Sequence, residues 1–282
     1  MPTLGSNVTG AIAATAQYVP EQWTKEIEKP FYKALQLAKV VRRRDAEVPN
    51  GDTLNIPFLG TVNARAKAGG TAVTYDSPEG TPITLLVNKQ YYSAILIEDF
   101  AKVQASYELA NEFRGAQAEA VARQIDTDLA GEYANVTTTT AGGAVVDDAD
   151  VLATVYALDA ADVPRDDRFG VIGAGAMNDL LNVNKYVAYD QTGAKGVAVN
   201  DGMVADVYGF KILLSNNVVF STTGKELFFQ KKAISLGLQL KPTYKMEDSV
   251  DFIGMKTVLH SIYGVKTERP GAGAVITRAT AV

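Results

Sequence analysis

Residues 50–100 read NGDTLNIPFLGTVNARAKAGGTAVTYDSPEGTPITLLVNKQYYSAILIEDF. Asn50-Gly51-Asp52 is a turn signal. Thr53 to Phe58 alternates, which puts Leu54, Ile56 and Phe58 on one face of a strand. Pro82 to Val87 and Tyr91 to Ile97 read as further strands. Between the first two, Thr61 to Ser77 is rich in Ala, Gly and Thr, and the tip holds Gly69-Gly70, Pro78 and Gly80. The pattern predicts a long two-stranded excursion. It has too few large side chains for a core of its own, and an isolated hairpin is marginal in water. Ordering about 40 residues costs roughly 60 kcal/mol of backbone entropy at about 1.5 kcal/mol each. Apolar burial alone would need on the order of 2,400 Å² at about 25 cal/mol per Å² to offset this. Backbone hydrogen bonds lower the requirement, but the excursion holds no such area. It must rest on something else, and a second copy of the same chain is the economical candidate.

Toward the N-terminus, residues 1–19 are small and polar without a period and read as a disordered or draped arm. Pro20 then opens a helical pattern, a favoured first-turn position. Trp23, Ile27, Phe31, Leu35 and Ala38 form one apolar stripe, with Pro30 kinking or dividing it. Arg42, Arg43 and Arg44 follow. They are read either as favourable charge at a helix C-terminus or as a contact with a neighbouring subunit or with DNA. On the other side, Asp99 is expected to cap the best helix in the sequence. Val103, Tyr107, Ala110, Phe113, Val121, Ile125 and Leu129 keep close to a 3.6 period up to about Tyr133, longer than a typical globular helix.

Further on, Thr137 to Gly143 is a Thr- and Gly-rich break and the expected internal boundary. Asp147, Asp148 and Asp150 read as cap and first-turn charge for a helix over Val151–Leu158. They lack the glycine and the distant glutamate of a calcium loop. Phe169 to Ile172 reads as a buried strand, Ala176 to Val183 as a helix, and Lys185 to Gly202 as an exposed loop. Gly209–Leu214, Glu226–Phe229, Ala233–Leu240 and Ala274–Arg278 read as strands. Asp251 to Tyr263 is apolar and fits helix or strand.

The 282 residues are 47 % apolar and 21 % charged, an ordinary globular composition. A net charge of -5 argues against a dedicated nucleic-acid binder. The absence of cysteine and the single histidine, His260, argue against a transition-metal site. No apolar run is long enough to span a membrane. The N-terminus shows no charged region ahead of Ala11 to Ala16, so no signal peptide is expected. No G-x-S-x-G elbow, phosphate loop or H-E-x-x-H is present. His260 lies in an apolar segment and is read as structural. Gly173-Ala174-Gly175 partly matches a dinucleotide fingerprint, but Asn178 stands at the third glycine position. A plain strand-to-helix turn is the simpler reading.

Several blocks, in order along the chain, resemble the major capsid proteins of tailed double-stranded DNA bacteriophages. Val19-Pro20-Glu21-Gln22-Trp23 to Val41 resembles the helix of their N-terminal arm. Gly51-Asp52-Thr53-Leu54-Asn55-Ile56-Pro57 resembles the start of their extended loop, and Asp99 to Tyr133 their spine helix. Gly209-Phe210-Lys211 to Ser215-Asn216-Asn217 is similar to a strand and turn of the axial domain. Tyr263-Gly264-Val265 to Arg269-Pro270 is similar to the return toward the last strand. The resemblance implies an α+β fold of the Hong Kong 97-like type. Its parts would be an N-terminal arm with helix (1–45), an extended β-hairpin loop with peripheral-domain strands (46–98) and the spine helix of the peripheral domain (99–145). An axial α/β domain (146–250) and a return to the peripheral domain (251–282) complete it.

The function so implied is structural: self-assembly through hexamers and pentamers into an icosahedral shell. The shell would enclose double-stranded DNA without sequence-specific binding, as the virion capsid, after synthesis in the host bacterial cytoplasm. A portal protein, a separate scaffolding protein and a decoration protein are the other partners implied, with no membrane, no catalytic residue, no cofactor and no metal. Trp23, Phe31, Arg42, Arg43, Arg44, Leu54, Ile56, Phe58, Leu85 and Val87 are the expected intersubunit contacts. No covalent crosslinking is expected, since no pattern singles out a reacting Lys and Asn. Three other readings stand beside this one: a nanocompartment shell of the same fold with protein cargo, a nucleotide-dependent enzyme built around Gly173 and Gly175, and a monomeric binding or tail-associated protein.

Overall fold

The structure is a computed structural model that describes residues 36–60, 62–77, 80–100, 109–187, 206–217 and 223–279. The stripe of Trp23, Ile27, Phe31 and Leu35 lies outside them, as do most of the loop expected over Lys185–Gly202 and residues 101–108 of the helix expected over Asp99–Tyr133.

Among the described residues, three sheets organise the chain. The strands, in order, are β1 (Arg42–Arg43), β2 (Thr53–Ile56), β3 (Ile83–Leu86), β4 (Lys89–Glu98), β5 (Thr138–Ala141), β6 (Arg168–Ile172), β7 (Asp206–Val207), β8 (Phe210–Leu214), β9 (Gly224–Gln230), β10 (Ile234–Ser249), β11 (Gly254–Thr267) and β12 (Gly273–Arg278). One sheet has the order β1-β10-β11-β4, a second β5-β12-β9-β6-β8-β7, and β2 and β3 pair alone. Among the described residues the helices are α1 (Leu37–Val40), α2 (Leu109–Gly131), α3 (Asp148–Ala160), α4 (Ala174–Leu181) and α5 (Asn184–Val187).

The long helix α2 lies on the four-stranded sheet. Gln117 donates from Nε2 to the Ser93 and Thr257 carbonyls at 3.2 and 3.3 Å. Tyr263 donates to Asp128 at 2.8 Å, and Glu132, in the turn that ends the helix, accepts from the Thr267 amide and hydroxyl. Val121, Ile125 and Leu129 are buried as their spacing requires. The six-stranded sheet is covered on both faces, so its central strands lose the in-out alternation of a solvated sheet. On β9, Phe228 points into a core with Val151, Leu158, Met177 and Leu180 from α3 and α4. Its neighbours Leu227 and Phe229 point into the opposite core, with Ile125 and Leu129 of α2 and Leu37 of α1. That second core also takes Ile234, Leu236 and Tyr263 from the four-stranded sheet, which joins the two sheets into one body.

Asp147 caps α3: its side chain accepts from the Asp150 amide, and Asp150 returns the contact, a full capping box. Within the expected break, Thr138–Ala141 forms a strand parallel to β12. Strands from either side of residue 250 are shared between the two larger sheets. β10, inside 146–250, belongs to the four-stranded sheet, and β12, inside 251–282, to the six-stranded one. Sheet membership is fixed by which distant strands pair, and local composition carries no record of that.

Candidate intersubunit surfaces

The excursion begins where β2 and β3 pair antiparallel, Thr53 opposite Leu86 and Ile56 opposite Ile83. Alternation gives this hairpin one apolar face, and Leu54 and Ile56 pack with Val48, Leu85, Val87 and Ile262. Gly264 is needed beneath it, because a Cβ there would lie 2.2 Å from the Leu86 carbonyl oxygen. Beyond Ile56 the support ends. Residues 62–77 hold neither helix nor strand and are exposed throughout. Arg65 and Asp76 form an ion pair across this segment. Leu59, Val62, Val73 and Tyr75 stand in solvent, Tyr75 at 89 % exposure. Phe58 is steadied by the Arg269 guanidinium 5.0 Å from its ring centre. Clefts of about 520 and 410 Å³ flank this root, with Phe58 in the wall of both.

The expected contact residues fall into distinct places. Trp23 and Phe31 lie outside the described residues. Leu54, Ile56 and Phe58 are partly exposed at the loop root. Leu85 and Val87, at 0 % and 6 % exposure, are enclosed by their own chain and have no surface left for a neighbour. The arginine triplet does not follow a helix end as charge alone: Arg42 and Arg43 form a short strand parallel to Ser235 and Leu236. Arg43 pairs with Asp45 in solvent. Arg44 is 5 % exposed and turns inward, gripping Glu268 with two nitrogens and Glu47 with a third. Burial would raise the Glu268 pKa, but hydrogen bonds from Arg44 and Ser235 and the charge of Arg42 outweigh it and hold the carboxyl below its usual range. Arg44 is therefore an internal clamp, closing the arm's exit onto the four-stranded sheet.

Two features escaped the sequence. Asp126 on α2 is fully buried. It accepts from the Ala38 amide at 3.0 Å, the Gln36 amide at 3.4 Å and the Asn217 side chain at 3.0 Å. It caps α1 from outside and ties arm, long helix and the end of β8 together. An acid on an otherwise mixed helix gives no signal of this in sequence. The second is the tip of the β10–β11 hairpin, where Met246, Val250, Phe252 and Ile253 are exposed and Phe100 is exposed nearby. The Asp99 amide donates to the Ile253 carbonyl at 3.0 Å, so these residues share one end of the sheet. The unusual apolarity of Asp251 to Tyr263 was visible, but its division between a buried strand and an exposed tip was not.

At Gly173-Ala174-Gly175 the start of α4 is already filled. The Gly173 amide donates to Glu226 at 2.6 Å. The Arg278 guanidinium occupies the space where a Cβ of Gly175 would be, and itself pairs with Asp179 at 2.8 Å. A phosphate would need the place Glu226 holds. Among the described residues no group of three His, Asp or Glu side chains could hold a metal ion, and no helix is long and apolar enough to cross a membrane.

No curated protein sequence matches the chain. Solved structures do. One from Mycobacterium phage Che8 superposes with a TM-score of 0.83 at 22 % identity, covering 94 % of this chain and 98 % of that one. The capsid structure of cyanophage P-SCSP1u gives 0.78 at 16 % identity, covering 94 % of each. The capsid of an empty GTA particle gives 0.70 at 14 % identity, covering 99 % and 100 %. The shared fold is the α+β Hong Kong 97-like type. The family model for phage capsid proteins matches residues 89–276, from β4 through most of β12. With two thirds of its length matched by that model, the chain belongs to the phage capsid protein family.

Proposed function

We propose that this protein is the major capsid subunit of a tailed phage, assembling with itself through hexamers and pentamers into an icosahedral shell around double-stranded DNA. The observation that carries the reading is the extended loop. Residues 62–77 are exposed along their whole length and apolar at Val62, Val73 and Tyr75, on a chain that belongs to a capsid family. Such a segment gains its burial from neighbouring copies. The partly exposed Leu54, Ile56 and Phe58, and the tip at Val250, Phe252 and Ile253, offer two further surfaces of the same kind. Closed symmetry lets many modest contacts sum to a stable shell. A net charge of -5 keeps the wall from gripping enclosed DNA. A portal protein, a separate scaffolding protein and, where one is present, a decoration protein complete the particle.

The nanocompartment reading would require protein cargo in place of DNA, and the family and the structures named above favour the phage capsid. The test is expression of the full chain with its scaffolding partner, followed by negative-stain microscopy. Closed round particles of uniform diameter are expected. A chain that stays monomeric by light scattering under all assembly conditions sinks the reading.

A further inference from the structure

Asn50-Gly51, in the turn ahead of β2, is the one place in the sequence where glycine follows asparagine. Residues 49–53 are all exposed. Among the described residues neither the Asn50 side chain nor the Gly51 amide makes a hydrogen bond. Other asparagines are held. Asn55 accepts from Thr84, Asn135 donates to Glu132, Asn182 to the Asn178 carbonyl and Asn217 to Asp126. Gly51 has φ +93°, left-handed backbone that glycine adopts freely, and a Cβ there would meet nothing within 4 Å.

An asparagine so placed can react with its own backbone. The Gly51 amide, unbonded and in solvent, can lose its proton to hydroxide. With no Cβ beside it, its nitrogen can reach the Asn50 Cγ. A bond then forms between the Gly51 nitrogen and Cγ, and the bond from Cγ to Nδ2 breaks. Nδ2 leaves as ammonia, taking its third proton from water, and a five-membered succinimide ring remains. Water adds to one of the two ring carbonyls and opens it. Opening at Cγ gives aspartate. Opening at the Asn50 main-chain carbonyl gives isoaspartate, in which the backbone runs through the former side chain. Water is the one co-reactant, and no electrons are exchanged.

We propose that Asn50 is a self-modification site: in the folded chain it converts through a succinimide to aspartate and isoaspartate, and the isoaspartate loosens the root of the β2–β3 hairpin. The turn is tied on both sides. The Gly51 carbonyl accepts from Gln239 of β10 at 2.6 Å, and the Asp52 carbonyl accepts from the Val87 amide at 2.7 Å. Val48, just before the turn, is buried against Leu85 and Val87. Isoaspartate inserts one methylene into the main chain between Val48 and these carbonyls, which moves them off their donors. Aspartate leaves the main chain as it was and adds a carboxylate two residues from Asp52. The hairpin root thus carries an irreversible change set by the age of the chain and by pH.

The test holds the full, folded chain in mildly alkaline buffer and samples it over days by peptide mapping with mass spectrometry. Isoaspartate is read separately, by enzymatic methyl transfer to its free α-carboxyl. Asn50 should convert ahead of every other asparagine, at a rate proportional to hydroxide. That rate should lie within about 10-fold of the rate in urea, since no opening of the fold has to precede the reaction. Asn63 and Asn88 are also exposed but are followed by alanine and lysine, so they serve as internal controls. Asn50→Gln cannot close the five-membered ring and should lose both the conversion and the methyl acceptance. In the isoaspartyl chain the Val87 amide should exchange about 5-fold faster or more, the worth of one ordinary hydrogen bond. In freshly prepared Asn50→Asp, which adds the charge without the methylene, it should exchange as in the unaltered chain. Conversion seen only in urea, or no faster than at Asn63 and Asn88, overturns the proposal. So does an isoaspartyl chain whose Val87 amide exchanges at the original rate.

Discussion

Glu226 sits on β9 with no exposure to solvent. One carboxylate oxygen accepts from the Gly173 amide, and the other is buried without a partner among the described residues. Burial pushes its pKa up from 4.5 to about 7. The Gly173 hydrogen bond and the Arg278 charge oppose that rise, and Asp179 adds to it. The folded chain thus holds a proton that the unfolded chain has given up by about pH 4.5. Stability should fall as pH rises from about 4.5 through 7, by on the order of 3 kcal/mol in total. Glu226→Gln keeps an acceptor for Gly173 and removes the titration. The expected outcome is a flatter dependence of Tm on pH between 5 and 8, with the variant the more stable at pH 8. An unchanged slope counts against the assignment. Ile253, a β-branched residue at φ +43°, is a second local anomaly. Left-handed backbone disfavours such side chains, and this one is 72 % exposed. Ile253→Gly should stabilise the isolated chain by about 1 kcal/mol in urea unfolding, while lowering particle yield if the side chain serves a contact.

Helix α1 is one turn long and could not persist by itself. Its first amides are satisfied by Asp126 from α2, and Leu37 and Val40 enter the core shared by both sheets. Asp126→Ala should cost about 2 kcal/mol, the upper range for a lost cap. It should also speed proteolysis between residues 36 and 44, read by mass spectrometry of the fragments. Normal resistance there would mean that packing alone holds the arm. The hairpin of β2 and β3 shows the opposite balance. Its strands were legible because period-two alternation and the Asn50-Gly51-Asp52 turn are local signals. The role of Leu85 and Val87 was not, because whether an inward face meets its own chain or another is decided by residues far away, here Val48 and Ile262. Arg44 is the same case: three arginines in a row look like surface charge until Glu268 arrives from a distant part of the chain.

As a whole molecule the subunit is a two-sheet body bearing an exposed loop. Replacing residues 62–77 by a short glycine-serine linker removes no buried side chain. The monomer should keep its far-UV circular dichroism and stay within about 0.5 kcal/mol of its original stability, yet fail to form closed particles in electron micrographs. Normal particles from that variant would remove the loop from the assembly scheme. The strand excursion without a core, the apolar stripe of α2 from Val121 to Leu129 and the cap at Asp147 were all determined by the sequence. Each depends on residues within a few turns or one strand length of one another. The division of β10 and β12 between the sheets, the inward turn of Arg44 and the filling of the α4 start by Glu226 came only with the tertiary structure. These are pairings between residues tens to hundreds of positions apart. No local period encodes them, because the free energy that selects them comes from burial shared among segments that meet only once the chain has closed.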